Sequence, residues 1–403
     1  MKERTRLSEK LKQRDFKLNA LLEMTKAINA NLAVDELLER FERILRNDLQ
    51  IEKMILFVKE ENWKCILKYG VRDGDIPEVT DERFFSTKND IKLREESFDL
   101  VIPISQDDRQ LAYLLLGDLG EEQIQMSPVV KHMNFIQTLT NVMVVAIENR
   151  KLVIENLRQE RIKNELELAA EMQAILLPNS LPKNKNFEVS SVYRAHQQVG
   201  GDYYDFLQLN EEEFMFCMAD VSGKGVSAAF LMANFQAYLR AIFSYRRTSL
   251  EDIVKELNAR VMDSALGEKY ITLFIATYNS TTRKMQFINC GHNPPVLADR
   301  KGYTQLLKLG TIGLGMFEEL PHIAMGELEI TPNSTVVCYT DGLVETENEA
   351  KQEYGIERLE QVMLSNNSKP VAELNRLILQ SLNDFKGDMV YMDDLAMLTC
   401  RFF

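Results

Sequence analysis

Four aspartates in the C-terminal half of the chain stand where apolar, strand-like segments begin or end. They are Asp202 in VGGDYYDF, Asp220 in MFCMADVSGKG, Asp341 in VVCYTDGLVE and Asp393 in YMDDLAMLTCRFF. Carboxylates that lie close together cannot all stay ionised unless cations neutralise them. Oxygen-only ligands favour the hard divalent ions Mg²⁺ and Mn²⁺, and two such ions can share a water and neutralise a phosphoryl group. The aspartates therefore predict two-metal phosphoryl chemistry if the fold brings them together.

The strand pattern predicts that these aspartates meet at one edge of a sheet. YYDFLQL and EFMFCMAD flank a polar turn near residues 210–212, and an antiparallel hairpin of the two runs would place Asp202 beside Asp220. Asp341 ends an apolar strand and Asp393 begins one, so antiparallel pairing would bring these two to one rim as well. A single aspartate at a strand end is more often a turn residue or a helix cap, so the prediction depends on all four.

Further residues beside the aspartates extend the candidate site. Gly201 precedes the first aspartate, Gly342 follows the third, and Asp394 stands next to the fourth. Glycine permits tight turns and the close approach of a ligand or an ion. We therefore count Gly201, Gly342 and Asp394 as neighbours of the predicted site.

The segments around this site predict an α+β domain over residues 185–403. Strand-like runs such as YITLFIATYN, KMQFINCG and STVVCYTDG alternate with segments of helical pattern. Strands that are interleaved with pairs of helices favour a β-sandwich of two sheets with helices outside.

The first 150 residues predict a smaller α+β domain. Residues 1–31 and 34–49 have helical spacing, two pairs of apolar runs follow as hairpins, and residues 127–150 are helical again. Over residues 17–150 this order of elements resembles a GAF domain, which implies a sensor. A dimerising structural domain without a ligand is the alternative. We find no motif of the cyclic-nucleotide-binding or chromophore-binding members, so no ligand is assigned.

A helical linker is predicted between these domains, over residues 146–180. The seven-residue step of its first apolar stripe is kept by Ile147, Ile154, Leu168 and Ile175. A second stripe begins at Ile162 and is out of register with the first, which predicts a coiled coil with a stutter near residues 157–162. An exposed apolar face of this kind favours a parallel homodimer. A plain amphipathic connector is the alternative.

The end of the linker is the candidate switch. Its predicted regulatory residues are Glu171, Met172, Gln173, Ile175 and Leu176. We expect the three apolar members of this set to press against the catalytic sheet and so to adjust the position of Asp202 or Asp220.

Five motifs in the C-terminal domain carry a family resemblance. VGGDYYDF, ADVSGKGVSAAFLM, NCGHNPPVL, YTDGLVETEN and DDLAML resemble, in this order, the PPM-type metal-dependent phosphatases. They are most similar to the branch of the stage II sporulation protein E and the sigma-factor regulator phosphatases, over about residues 165–403. The resemblance implies a protein serine/threonine phosphatase whose substrate is a phosphorylated anti-sigma-factor antagonist protein.

The resemblance also implies roles for single residues. Asp220 would bridge two Mn²⁺ or Mg²⁺ ions, the backbone carbonyl of Val221 would join it, and Asp341 and Asp393 would complete the second ion site. Asp202 matches an acidic position that holds metal-bound waters. The nucleophile would be a water, so no serine, cysteine or histidine nucleophile is required.

Three residues leave roles open or depart from the family pattern. Ala396 stands where the family has a threonine or serine, which predicts the loss of a hydrogen bond near the ligands. His292 is interpreted either as a general acid or, more often in such a turn, as a structural histidine. Lys224 in SGKG lacks the full spacing of a phosphate-binding loop.

Composition excludes several other classes of protein. The 61 acidic and 48 basic residues give a net charge of −13, which argues against a nucleic-acid partner and against an anionic membrane. The five cysteines are isolated, which argues against zinc and favours a reducing compartment. The N-terminus has no signal-peptide pattern, and we expect no membrane-spanning run. We therefore expect a cytoplasmic protein.

Two functions from different classes fit these observations. The first is a regulated phosphatase, and the second is a non-catalytic sensor or scaffold that keeps the phosphatase fold. Degenerate scaffolds lose metal carboxylates, and this chain keeps all four, which favours the enzyme.

Overall fold

The computed structural model describes residues 2–72, 76, 98, 100–106, 109–117, 128–178, 180–196, 198–245, 248–265 and 267–403. Within them the chain divides into two compact units, Met1–Glu160 and Arg161–Phe403. Most of the polar stretch between the two predicted hairpins lies outside the described residues.

The first unit is a four-stranded antiparallel sheet with helices. Its elements are α1 (Lys2–Asn29), α2 (Val34–Arg43), a π-helical turn (Ile44–Asp48), β1 (Lys53–Lys59), β2 (Trp63–Tyr69), β3 (Leu100–Gln106), β4 (Arg109–Gly117) and α3 (Pro128–Leu176). The strand order is β2-β1-β4-β3, and both predicted hairpins are confirmed. Strand β1 is buried along five consecutive residues because both of its faces are covered. Met54 and Leu56 join the main core, and Ile55 and Phe57 join a second cluster.

Helix α3 is continuous over its 49 residues and passes through the boundary between the units. Along its middle, Ile154, Leu157 and Ile162 are exposed. At its end, Leu176 and the following residue Leu177 pack into the core of the second unit.

The second unit contains two β-sheets and five helices in the described residues. Its strands are β5 (Phe187–Arg194), β6 (Tyr203–Gln208), β7 (Glu213–Val221), β8 (Ile271–Asn279), β9 (Lys284–Cys290), β10 (Val296–Ala298), β11 (Thr304–Leu306), β12 (Gly310–Thr311), β13 (Gly326–Glu329), β14 (Ser334–Tyr339) and β15 (Leu395–Phe402). Its helices are α4 (Val226–Tyr245), α5 (Leu250–Ala265), α6 (Asp341–Val344), α7 (Gly355–Ser365) and α8 (Val371–Lys386).

The two sheets pack face to face, which confirms the predicted β-sandwich. One sheet has the order β11-β10-β14-β15-β5, and the other has β12-β9-β8-β7-β6 with β13 beside β9. Phe402 of the first sheet contacts Phe214, Phe216 and Tyr278 of the second, with ring centroids 6.2, 6.3 and 4.5 Å away. Helices α4 and α5 pack on the second sheet, and α7 and α8 pack on the first.

Helix α4 is long and apolar enough by composition to cross a membrane, contrary to the expectation from the sequence. The buried residues of this helix are Ala228, Leu231, Met232, Phe235, Gln236, Leu239 and Ile242. The apolar members of this set pack in the core of the second unit, and 33% of the apolar window of the helix is buried.

Candidate metal centre and active site

The four predicted aspartates lie at one rim of the sandwich. Asp202 directly precedes β6, and the pairing of Tyr203 with Ala219 places it beside Asp220 near the end of β7. Asp341 begins α6 after β14, and Asp393 lies two residues before β15, the antiparallel neighbour of β14. The predicted hairpin of β6 with β7 and the predicted antiparallel pairing of the strands next to Asp341 and Asp393 are both present in the structure.

Burial and mutual repulsion raise the pKa of the carboxyl groups of Asp202, Asp220 and Asp341. Desolvation, followed by the charges of Asp341, Asp393 and Asp394, raises the pKa of Asp220 to about 7. Desolvation and the charge of Asp220 raise the pKa of Asp202 well above its ordinary value, and Asp341 shifts in the same direction. A cation bound among these groups would relieve the repulsion.

Asp202 is held by a residue that the sequence analysis missed. The side chain of Asp202 is 1% exposed, and its Oδ2 accepts a hydrogen bond of 2.7 Å from Thr340 Oγ1. The same hydroxyl accepts the backbone N–H of Ala396 at 2.9 Å. Thr340 therefore supplies a hydroxyl next to Ala396, where a missing hydrogen bond was expected. The sequence signal that could have identified Thr340 is its position directly before Asp341.

Asp394 fixes the backbone that leads into Asp202. It is 8% exposed, and its two oxygens accept the backbone N–H groups of His196 and Gly201, each at 2.7 Å. A Cβ atom on Gly342 would lie 1.9 Å from the carbonyl oxygen of Asp394, so glycine is required for this close approach. The predicted neighbours of the site thus shape its backbone.

The end of α3 contacts this same backbone through Gln173, one of the predicted regulatory residues. The Gln173 amide is buried, its Nε2 donates to the Gly200 carbonyl at 2.6 Å, and its Oε1 accepts the Gly200 N–H at 3.1 Å. Glu171, by contrast, is exposed.

Two of the three apolar switch residues do not contact the sheet. Met172 and Ile175 are 64% and 70% exposed, so the expectation that they press against the catalytic sheet is wrong. The buried face of the helix is formed by residues spaced by three or four positions, namely Gln173, Leu176 and Leu177, and Met172 and Ile175 lie off this face.

Lys224 forms an ion pair with Asp393, one of the predicted ion ligands. Its Nζ is 2.9 Å from Asp393 Oδ2 and donates a hydrogen bond of 2.8 Å to the Met392 carbonyl. In the described part of the chain, no three Asp, Glu, His or Cys side chains stand as a ready set of metal ligands.

The donor chemistry nevertheless fits hard divalent ions. Three carboxylates at one rim, Asp220, Asp341 and Asp393, would be joined by the carbonyl of Val221. A Cβ atom on Gly201 would lie 2.9 Å from that carbonyl, so the glycine leaves it uncovered by a side chain. These four residues are the ones that could hold the ions.

His292 has the surroundings of a structural histidine. It is 5% exposed, its Nδ1 is 2.9 Å from Thr272 Oγ1, and its backbone N–H donates to Asn289 Oδ1 at 2.8 Å. Burial lowers its pKa to about 4, so the ring is neutral at neutral pH. This favours the structural interpretation over a general acid.

The two sheets flanked by helices match the fold of PP2C-type phosphatases. The solved SiaA-PP2C domain of Pseudomonas aeruginosa has the same fold, with a TM-score of 0.54 and 20% identity over 61% of this chain and 99% of that domain. PP2C-type phosphatases are metal-dependent protein serine/threonine phosphatases.

Residues 210–403 match the family Stage II sporulation protein E (SpoIIE), so this part of the chain is similar to SpoIIE-type PP2C phosphatase domains. The chain is also similar to the phosphoserine phosphatase RsbU of Bacillus subtilis, with 27% identity over 60% of this chain and 71% of RsbU. A third similarity is to protein IcfG of Synechocystis sp., with 25% sequence identity over 77% of this chain. The alignment spans half of the length of IcfG.

Proposed function

We propose that the chain hydrolyses phosphoserine or phosphothreonine on a signalling protein of the cytoplasm, of the anti-sigma-factor antagonist type. The observation that carries the proposal is the meeting of Asp220, Asp341 and Asp393 at one rim of a SpoIIE-type domain. RsbU, a relative, is a phosphoserine phosphatase, which supports the type of substrate. The five free cysteines fit a reducing compartment.

Each residue of the rim has a proposed task. Asp220, Asp341, Asp393 and the Val221 carbonyl would hold two Mg²⁺ or Mn²⁺ ions, which when bound would neutralise phosphoryl charge and activate a water. Asp202, oriented by Thr340, holds and orients water at the rim. Hydrolysis breaks the P–O bond of the ester, and water supplies the oxygen to phosphate and the proton to the released hydroxyl group.

Metal removal combined with one substitution tests this proposal. Hydrolysis of a phosphoserine peptide should require Mn²⁺ or Mg²⁺ and stop with EDTA. Asp220→Asn should lower kcat/KM by about 100-fold or more and weaken Mn²⁺ binding in calorimetry, since a shared ligand is lost. Asp263→Asn, an exposed aspartate on α5, is the matched control and should change neither quantity. A chain that binds Mn²⁺ but hydrolyses no phosphoprotein would favour the scaffold.

We also propose that the N-terminal region, with a GAF-like domain at residues 17–150, controls this activity through the helix at 146–180 in a parallel homodimer. Two observations support this: the exposed apolar residues Ile154 and Leu157 on α3, and the amide contact of Gln173 with Gly200. An exposed apolar stripe on a helix is covered most simply by a second copy.

Light scattering of the full chain tests the dimer. We expect a dimer that Ile154→Glu and Leu157→Glu together convert to a monomer, whereas the neighbouring exposed Glu155→Gln leaves its mass unchanged. A monomeric unaltered chain would contradict the proposed dimer.

A further inference from the structure

Exposed apolar side chains are concentrated beside the acidic rim. Val226 and Phe230, one turn apart at the start of α4, are 57% and 71% exposed, and Val390 and Met392, just before Asp393, are 70% and 65% exposed. We call Val226, Phe230, Val390 and Met392 the apolar rim. Groups of exposed apolar residues mark interaction sites more often than scattered single ones do.

Lys224 joins the two parts of the apolar rim. Its ammonium group donates to the Met392 carbonyl at 2.8 Å and lies 2.9 Å from Asp393 Oδ2. Because Lys224 is two residues before Val226, this contact places the 390–393 segment against the loop that enters α4. A half-exposed cation is thus located between apolar side chains and a proposed ion ligand.

We propose that the apolar rim and Lys224 receive the segment of the substrate protein that carries the phosphorylated residue. Apolar residues flanking the phosphoserine pack on Phe230 and Met392, and the Lys224 ammonium contacts a phosphoryl oxygen. The inference rests on the proposed phosphatase function, because it requires the phosphoryl group to lie at Asp393.

Charge supports a protein segment as the occupant. The phosphoryl group is anionic and must approach a rim of several carboxylates in a chain of net charge −13. A cation at the point of approach reduces this repulsion, and apolar packing adds affinity that does not depend on charge. The same carboxylates would repel an anionic lipid surface, so a membrane is the less suitable occupant.

Two phosphoserine peptides of equal length test the apolar rim on the full chain with Mn²⁺. One peptide has leucine and isoleucine on both sides of the phosphoserine, and the other has glycine and serine. Phe230→Ser and Met392→Ser should each lower kcat/KM about fivefold for the apolar peptide and by less than about twofold for the other. Tyr245→Ser, which alters a 90% exposed side chain at the far end of the same helix, is the control and should preserve the preference.

Lys224→Gln separates contact with the phosphoryl group from support of the metal site. Binding of a fluorescent phosphonate analogue of the apolar peptide, followed by anisotropy, should weaken about tenfold. The affinity for Mn²⁺ in calorimetry should stay the same or increase, because a cation beside Asp393 is removed. Unchanged analogue binding, or weaker Mn²⁺ binding, would overturn the role given to Lys224.

The anisotropy assay also distinguishes the two proposals. Analogue binding that is lost in Phe230→Ser, without hydrolysis by the unaltered chain, would support the apolar rim and refute the phosphatase. Hydrolysis with equal preference for both peptides would refute the apolar rim and leave the phosphatase standing. Binding to phosphatidylglycerol vesicles that depends on Phe230, with no peptide preference, would assign the surface to a membrane and overturn the inference.

Discussion

Asp202 and Asp205 are three residues apart, both are buried, and their surroundings are opposite. Asp205 accepts two hydrogen bonds from Arg240, at 2.7 and 3.0 Å, and further ones from Tyr203 Oη and the Phe206 N–H. Asp202 accepts one side-chain hydrogen bond, from Thr340, and otherwise faces the carboxyl groups of Asp220, Asp394 and Asp341. The protein supplies the counter-charge of Asp205 and leaves that of Asp202 to be supplied from outside.

The two carboxylates therefore differ in their partners and not in their burial: Asp205 is paired within the fold, and Asp202 is the residue proposed to hold water at the acidic rim. A buried ion pair that is complete within the fold contributes to a unique arrangement of β6 and α4. A buried acidic cluster without such a partner stores repulsion that a bound cation can relieve. The comparison predicts that the two regions respond in opposite ways to loss of a charge.

The largest effect is expected where the counter-charge is internal. Arg240→Met leaves Asp205 buried and unpaired and should lower the free energy of unfolding by about 3 kcal/mol, with or without Mn²⁺. Urea denaturation measures this. Arg376→Met, which removes an exposed ion pair with Glu373, is the control and should change stability by less than about 0.5 kcal/mol. If Arg240→Met lowers the free energy of unfolding no more than Arg376→Met does, the buried pair of Asp205 contributes no more stability than an exposed ion pair.

At the acidic rim we expect a dependence on pH that a cation abolishes. Between about pH 4 and 7 the folded chain holds a proton near Asp220 that the unfolded chain has released, because the folded pKa is raised to about 7. With EDTA present, this contribution to the free energy of unfolding should therefore be lost as pH rises through that window.

Two variants and added Mn²⁺ show whether the pH dependence comes from the acidic rim. Asp220→Asn or saturating Mn²⁺ should flatten the curve of unfolding free energy against pH, and the exposed Asp263→Asn should leave its slope intact. Identical slopes for the unaltered chain and Asp220→Asn would show that the cluster is not under repulsion.

The smallest effect concerns the backbone that carries Asp202. Gln173→Leu keeps the volume of the side chain but leaves the N–H and C=O of Gly200 unpaired, which should cost about 1 kcal/mol of stability. It should also raise the Mn²⁺ concentration needed for half-maximal activity, since the loop is less well held. Met172→Ala on the exposed face of the same helix is the control. Equal Mn²⁺ requirements in the two variants would exclude a role for Gln173 at the site.

The part of the site that the sequence could predict is the part set by local pairing. Asp202 and Asp220 meet because β6 and β7 form one hairpin, whose register is fixed by the short turn between Gln208 and Glu213. The same logic placed Asp341 and Asp393 at neighbouring strand ends. The two-sheet sandwich followed from the order of strands and helices.

The contacts that hold the site could not be predicted in this way. Thr340 binds Asp202 from 138 residues away along the chain, and Lys224 pairs with a residue in the 390–393 segment. Gln173 was identified as a regulatory residue, but two competing apolar stripes did not reveal which face of α3 is buried. Such contacts depend on tertiary packing, which has no period in the sequence.

Asp393 and Asp394 are consecutive residues with different tasks, and this has a practical consequence. Asp393 pairs with Lys224 and is a proposed ion ligand, whereas Asp394 accepts the amide proton of Gly201, which lies directly before Asp202. Because the two residues share one peptide unit, an ion bound by Asp393 would also shift Asp394 and change its hydrogen bond with the Gly201 N–H. The amide of Gly201 is consequently a built-in reporter, whose hydrogen-exchange rate or NMR shift should follow ion occupancy without any label.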